Sequence, residues 1–162
     1  NLVEDETNTL ENKLNFSSQN NENDLYIDIT ASSYTSLADN YNDKYEFFLP
    51  DFNLTKDLIS ENFGYGDFKS NFKVHNYDTN KTKKILVNDF EWNIDLPFAK
   101  KKFNGTLMSS LKNFNYETKN ISGFKENNTN EFFGAIGYLA SLDLFKTDGQ
   151  GLNQFLKKKI LF

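Results

Sequence analysis

The chain has no cysteine, no arginine, a single histidine and no long apolar run. Without Cys there is no disulfide and no thiolate chemistry. Without Arg there is no bidentate clamp for phosphate or carboxylate, and all positive charge sits on Lys. Asn, Lys, Phe, Ile and Tyr rise together as they do in an AT-rich genome, so the missing Arg carries no functional weight. With His75 alone, neither a His-based metal site nor a His-bearing triad is buildable beyond one ligand. No stretch approaches the roughly 18 apolar residues of a spanning helix. A net charge of −5 and a pI near 4.9 argue against a nucleic-acid partner, which wants a basic field.

What is present is aromatic. Hydrophobic residues reach only 38%, below the roughly 45–50% of soluble domains, yet 17 Phe and 8 Tyr set the chain apart from a disordered one. Few aliphatics, many aromatics and many turn formers fit an all-β protein. They also fit a barrel with a wet interior, where half of each strand needs no apolar residue.

Alternation carries the argument further. From Asn62 to Tyr77 the odd positions include Asp67, Lys69, Asn71, Lys73 and His75, with Phe63, Tyr65 and Tyr77 at the ends. The even positions are uncharged, among them Phe68, Phe72 and Val74. Side chains two apart share a strand face, so one face is charged and the other aromatic or small. Lys84 to Ile94 repeats this, with Leu86, Phe90, Trp92 and Ile94 opposite Asp89, Glu91 and Asn93. Phe132 to Phe145 is the most apolar segment, with Ile136, Tyr138 and Leu142 opposite Gly137, Ser141 and Asp143. A helix over Phe132 to Leu144 is the alternative there, weakened by Gly134 and Gly137.

Leu25 to Ser32 and Tyr45 to Leu49 read as strands, with Pro50 closing the second. Phe52 to Ile59 reads as a short strand of its own, and Phe103 to Tyr116 as another. Turn chemistry clusters at residues 39–43, 78–81 and 147–151. The expectation is all-β: an antiparallel meander of about seven or eight strands forming part of a large transmembrane β-barrel. Residues 1–24 are expected as a polar loop or frayed strand and 25–162 as the barrel segment, both ends cut from a longer protein. A strand of about 14 residues tilted by about 45° rises on the order of 33 Å, enough to cross a bilayer.

Candidate chemistry is thin. Asp89 and Glu91 lie two apart, a spacing that would suit a glycosidase-like pair, but no partner motif accompanies them. Asp143 with Asp148 and Gly149, or Asp39 with Asp43, offer calcium ligands without the spacing of an EF-hand loop. No enzyme activity, cofactor or metal is expected. Asp67, Lys69, Asn71, Lys73, Asp89 and Glu91 are expected to line a polar lumen. Phe68, Phe72, Trp92, Ile136 and Leu142 are expected to face lipid.

Four stretches resemble one family: residues 34–52 with K-Y-E-F-F-L-P, 76–92 with L-V-N-D-F-E-W, 111–120, and 132–146 with the terminal Q-F-L-K-K-K-I-L-F. They look like the barrel of the lipopolysaccharide-assembly outer-membrane proteins (LptD, or organic solvent tolerance proteins). The likeness covers about residues 25–162 and would place them mid-barrel. It implies a bacterial outer-membrane translocon that delivers lipopolysaccharide to the outer leaflet without chemical catalysis. Its partners would be lipopolysaccharide, a plug lipoprotein inside the barrel and membrane lipids. Where the family has Leu-x-Pro-Lys, this chain has Leu156-Lys157-Lys158-Lys159, and the family's disulfide has no counterpart. The lateral gate would fall outside this stretch. Two rivals share parts of the pattern: a small soluble lipocalin-like ligand-binding barrel, and a different outer-membrane channel or adhesin.

Overall fold

A computed structural model describes residues 9–37, 45–77, 80–96, 104–123, 128–147 and 153–162. They form eight strands: β1 (Thr9–Asn20), β2 (Leu25–Ser36), β3 (Tyr45–Ser60), β4 (Gly64–Tyr77), β5 (Lys81–Asp95), β6 (Asn104–Lys119), β7 (Thr129–Thr147) and β8 (Asn153–Leu161). The strands lie in sequence order in one sheet, each antiparallel to its neighbours. The sheet is open: β1 and β8 are its two edges and do not pair. The eight strands therefore do not close as a small ligand-holding barrel would. There is no helix among the described residues.

Turn chemistry sets the tight reversals. Between β1 and β2 the Asn20 side chain accepts hydrogen bonds from the backbone N–H of Glu22 (3.0 Å) and Asn23 (3.2 Å), while Asp24 takes φ 48°. Gly64 opens β4 at φ 100°, where a Cβ would lie 2.0 Å from the Asn93 carbonyl oxygen of β5. No other residue fits that close approach.

One sequence expectation changes, at Pro50, and two open alternatives resolve, both to strand. Thr9–Asn20 is a strand registered along its full length with β2, not a loop. Pro50 does not end a strand, because β3 runs unbroken from Tyr45 to Ser60 with a bulge at Leu49–Pro50. A proline has no N–H to give to a ladder, and a bulge leaves the extra residue unpaired, so the two features coincide. Phe132 to Leu144 is strand, within β7, and not helix. The turn clusters at 39–43, 78–79 and 148–151 lie outside the described residues.

Substantial contacts join only strands adjacent in sequence, so no second layer covers either face among the described residues. The one large side chain fully buried there is a carboxylate, Glu46. Leu14, Phe16, Phe132 and Ile136 stand more than half exposed on one face. A water-soluble sheet needs an apolar partner for such a face. Among the described residues this sheet has none of its own.

Candidate functional site: the two faces of the sheet

Register decides what meets what. Across β4 and β5, Asp67 pairs with Glu91, Lys69 with Asp89, Asn71 with Val87 and Lys73 with Ile85. The six residues expected to line a lumen therefore share one face. Phe68 pairs with Phe90, Phe72 with Leu86 and Gly66 with Trp92 on the other. Following the register through β6, Trp92 meets Ser109, which meets Ile136, and Leu142 lies on the same side of β7. The five residues expected to face lipid share the opposite face.

The polar face is cross-linked. Lys69 bonds Asp67 at 2.9 Å, Lys73 bonds Asp51 at 2.6 Å and Lys112 bonds Asp89 at 3.1 Å. Asn71 donates to Asn53 (2.6 Å) and Asp51 (3.3 Å), and Asn15 to Asp28 (2.6 Å) and Thr30 (2.8 Å). Asp89, one half of the candidate acid pair, is thus held by a lysine from the next strand. Asp143 receives Lys157 at 3.7 Å and the Asn104 amide at 3.2 Å. Among the described residues no three acidic or histidine side chains converge where a metal ion would sit; Asp39, Asp43, Asp148 and Gly149 lie outside them.

One cluster on this face escapes sequence reasoning. Glu46 of β3 is bonded to His75 of β4 and is 2% exposed. Phe48 stacks on His75 at 4.2 Å between ring centres, and Tyr77 stacks on its other flank at 4.6 Å. Tyr34 meets Phe48 edge-on at 6.0 Å and donates to Glu11 at 2.8 Å. The Lys73 ammonium sits 5.0 Å from the Phe48 ring centre. A buried carboxylate is tolerable only when paired, and this one is paired inside an aromatic wall. The only sequence signal was the lone His75 on a charged strand face.

The apolar face carries polar side chains as well, and they satisfy one another. Ser70 donates to Asn88 (2.8 Å), Asn88 to Asn113 (3.5 Å), and Asn113 to Asn130 (3.2 Å), across four strands. Trp92 donates its indole N–H to the Phe63 carbonyl (2.8 Å), and Tyr138 its hydroxyl to the Leu96 carbonyl (2.9 Å). Such a face hides its hydrogen-bonding capacity internally, as a non-aqueous surrounding requires.

The apolar stripe also runs obliquely. On β2 it spans Leu25, Ile27, Ile29 and Ala31, centred between Ile27 and Ile29. The row of Ile27 passes through Leu54, Ser70, Asn88 and Asn113 to Phe132; that of Ile29 passes through Phe52, Phe72, Leu86 and Asn115 to Asn130. On β7 the uncharged stripe from Phe132 to Leu144 is centred on Tyr138. The centre has slid seven residues over five strand steps, about 1.4 per step. Strands about 4.8 Å apart, rising about 3.3 Å per residue and tilted about 45°, would give a level belt a slide of about 1.4.

Compared with protein-family models, curated proteins and solved structures, the chain matches none.

Proposed function

We propose that this sheet is a stretch of the wall of a large transmembrane β-barrel in a bacterial outer membrane. Its ion-paired face turns to a water-filled interior and its apolar face to hydrocarbon. The oblique stripe is the observation that carries the reading: it has the slope of a level membrane belt crossed by tilted strands. The uncovered apolar face and the self-satisfied amides on it support the same reading.

Within that wall, the resemblance of residues 34–52 and 76–92 favours a lipopolysaccharide translocon over another outer-membrane channel or adhesin. In it the chain acts as scaffold rather than enzyme. Lipopolysaccharide, a plug lipoprotein and membrane lipids are its partners in this reading.

Residues 1–162 hold no Cys, so single cysteines placed among them can be compared with the unaltered protein as background. Single cysteines at Asn71, Lys69, Phe72 and Ile136 are introduced into the intact protein in vesicles. A water-borne maleimide should label the first two and a bilayer-dissolved quencher should reach probes on the last two. Water access to all four positions alike would overturn the proposal.

A further inference from the structure

A lysine stands in the apolar stripe. On β7 and β8, Tyr138, Ala140, Leu142, Ile160 and Phe162 border a groove of about 460 Å³, and the one charged residue in its lining is Lys158. Lys158 pairs in register with Leu142, and its flanking face neighbours are Leu156 and Ile160. The two carboxylates of β7, Glu131 and Asp143, lie on the opposite face, and Asp143 bonds Lys157 there. β8 has no acidic residue.

The depth of Lys158 follows from the slide of the stripe. Tyr138 exchanges backbone hydrogen bonds with Phe162 (3.1 and 3.0 Å), so one further step of about 1.4 residues centres the belt near Ile160 and Leu161. Lys158 is then two to three residues off centre, on the order of 6 Å along the membrane normal. A cation there is costly unless its stem reaches a polar surface, and an ionisable residue in such a place marks a site. The belt is about 25 Å tall, so a lysine stem from this depth reaches the headgroup level on its own side.

We infer that Lys158 and its groove form a seat for an anionic membrane lipid, with an acyl chain along Leu142, Ala140 and Ile160 and the headgroup phosphate on the ammonium. The inference rests on the apolar face meeting hydrocarbon. Charge selects the occupant: an apolar trough with one cation complements a chain with one anion. A zwitterionic lipid gains less, because its own cation opposes Lys158.

The test places a fluorophore on Leu144→Cys, beside the groove, and a control on Ile136→Cys in the intact protein. Each is reconstituted in vesicles whose bromine-labelled, quenching lipid is either phosphatidylglycerol or phosphatidylcholine. At Leu144 the anionic lipid should compete about fivefold better than the zwitterionic one. That preference should vanish in Lys158→Gln, persist in Lys158→Arg and be absent at Ile136. Equal quenching by both lipids in the unaltered groove overturns the seat while leaving the membrane reading intact. Carbodiimide coupling of Lys158 to a protein carboxylate overturns it in favour of a protein occupant. No quenching by either lipid at either position overturns the membrane reading itself.

Discussion

Glu46 and Asp51 stand five residues apart on β3 yet face the same way. In a regular strand an odd separation puts two side chains on opposite faces. Between Phe48 and Asp51 three steps on β3 match two on β4, from His75 to Lys73. The extra residue at Leu49–Pro50 reverses the parity, so even positions before the bulge and odd positions after it share the polar face. Glu46 reaches His75 and Asp51 reaches Lys73 on one continuous polar face.

Deleting Pro50 should therefore do more harm than replacing it. The deletion restores a regular strand and turns Glu46 to the apolar face and Phe47 to the polar one, or slips the register of the rest of β3. Folded yield of the membrane-inserted protein, read by protease resistance and circular dichroism, should fall at least about tenfold. Pro50→Ala keeps the residue count and should stay within about 1 kcal/mol of the parent. Equal losses would show that the proline itself, not the bulge, matters.

The buried pair predicts a non-additive cycle. Glu46→Leu takes its carboxylate partner from His75, between Phe48 and Tyr77, and His75→Phe takes the imidazole from the buried Glu46 carboxylate. Removing one partner of a buried hydrogen bond costs about 1–3 kcal/mol, and more where the group left is charged, whereas apolar replacement of both partners can be nearly neutral. Taking a hydrogen bond from the buried carboxylate is the worse of the two. Denaturant unfolding in detergent should find His75→Phe the more damaging, with the double variant close to the parent. Additive losses would mean that the pair does not act as a unit.

How much of this was legible in the chain differs strand by strand. β4 and β5 needed only a period of two, which is why Asp67 to Lys73 and Phe68 to Trp92 separate cleanly onto two faces. The Glu46–His75 contact spans 29 residues and depends on both a register and a bulge, neither of which one strand encodes. β1 was obscured because Asn and Ser fill both of its faces, so alternation is faint and β2 supplies the pairing. Ser70, Asn88 and Asn113 read singly as breaks in the apolar stripe. Only cross-strand pairing makes them one hydrogen-bonded line.

Gly105 and Tyr138 make a second coupled pair. A Cβ on Gly105 would fall 1.7 Å from the Tyr138 hydroxyl and 2.7 Å from the Leu96 carbonyl oxygen that this hydroxyl bonds. Gly105→Ala must displace the ring and break the bond, at about 1–3 kcal/mol. Tyr138→Phe loses the bond alone, at about 1 kcal/mol. In Gly105→Ala/Tyr138→Phe the bond is already gone, so the combined loss measured by denaturant unfolding should be less than the two together. A strictly additive result would place the strain of Gly105→Ala in the backbone instead.

The two faces should also answer differently to the same charge. Ile136 is 74% exposed on the apolar face, two residues from the stripe centre at Tyr138. Arg at that depth on a lipid-facing strand costs about 2–4 kcal/mol. Asn71 lies among Asp51, Asn53 and Lys73 on the polar face, where Asp51 stands ready as a partner. Arg there should change stability by no more than about 0.5 kcal/mol. Assembly of the intact protein into membranes, scored as heat-resistant folded species, should fail for Ile136→Arg and persist for Asn71→Arg. The reverse order would place water on the wrong side of the sheet.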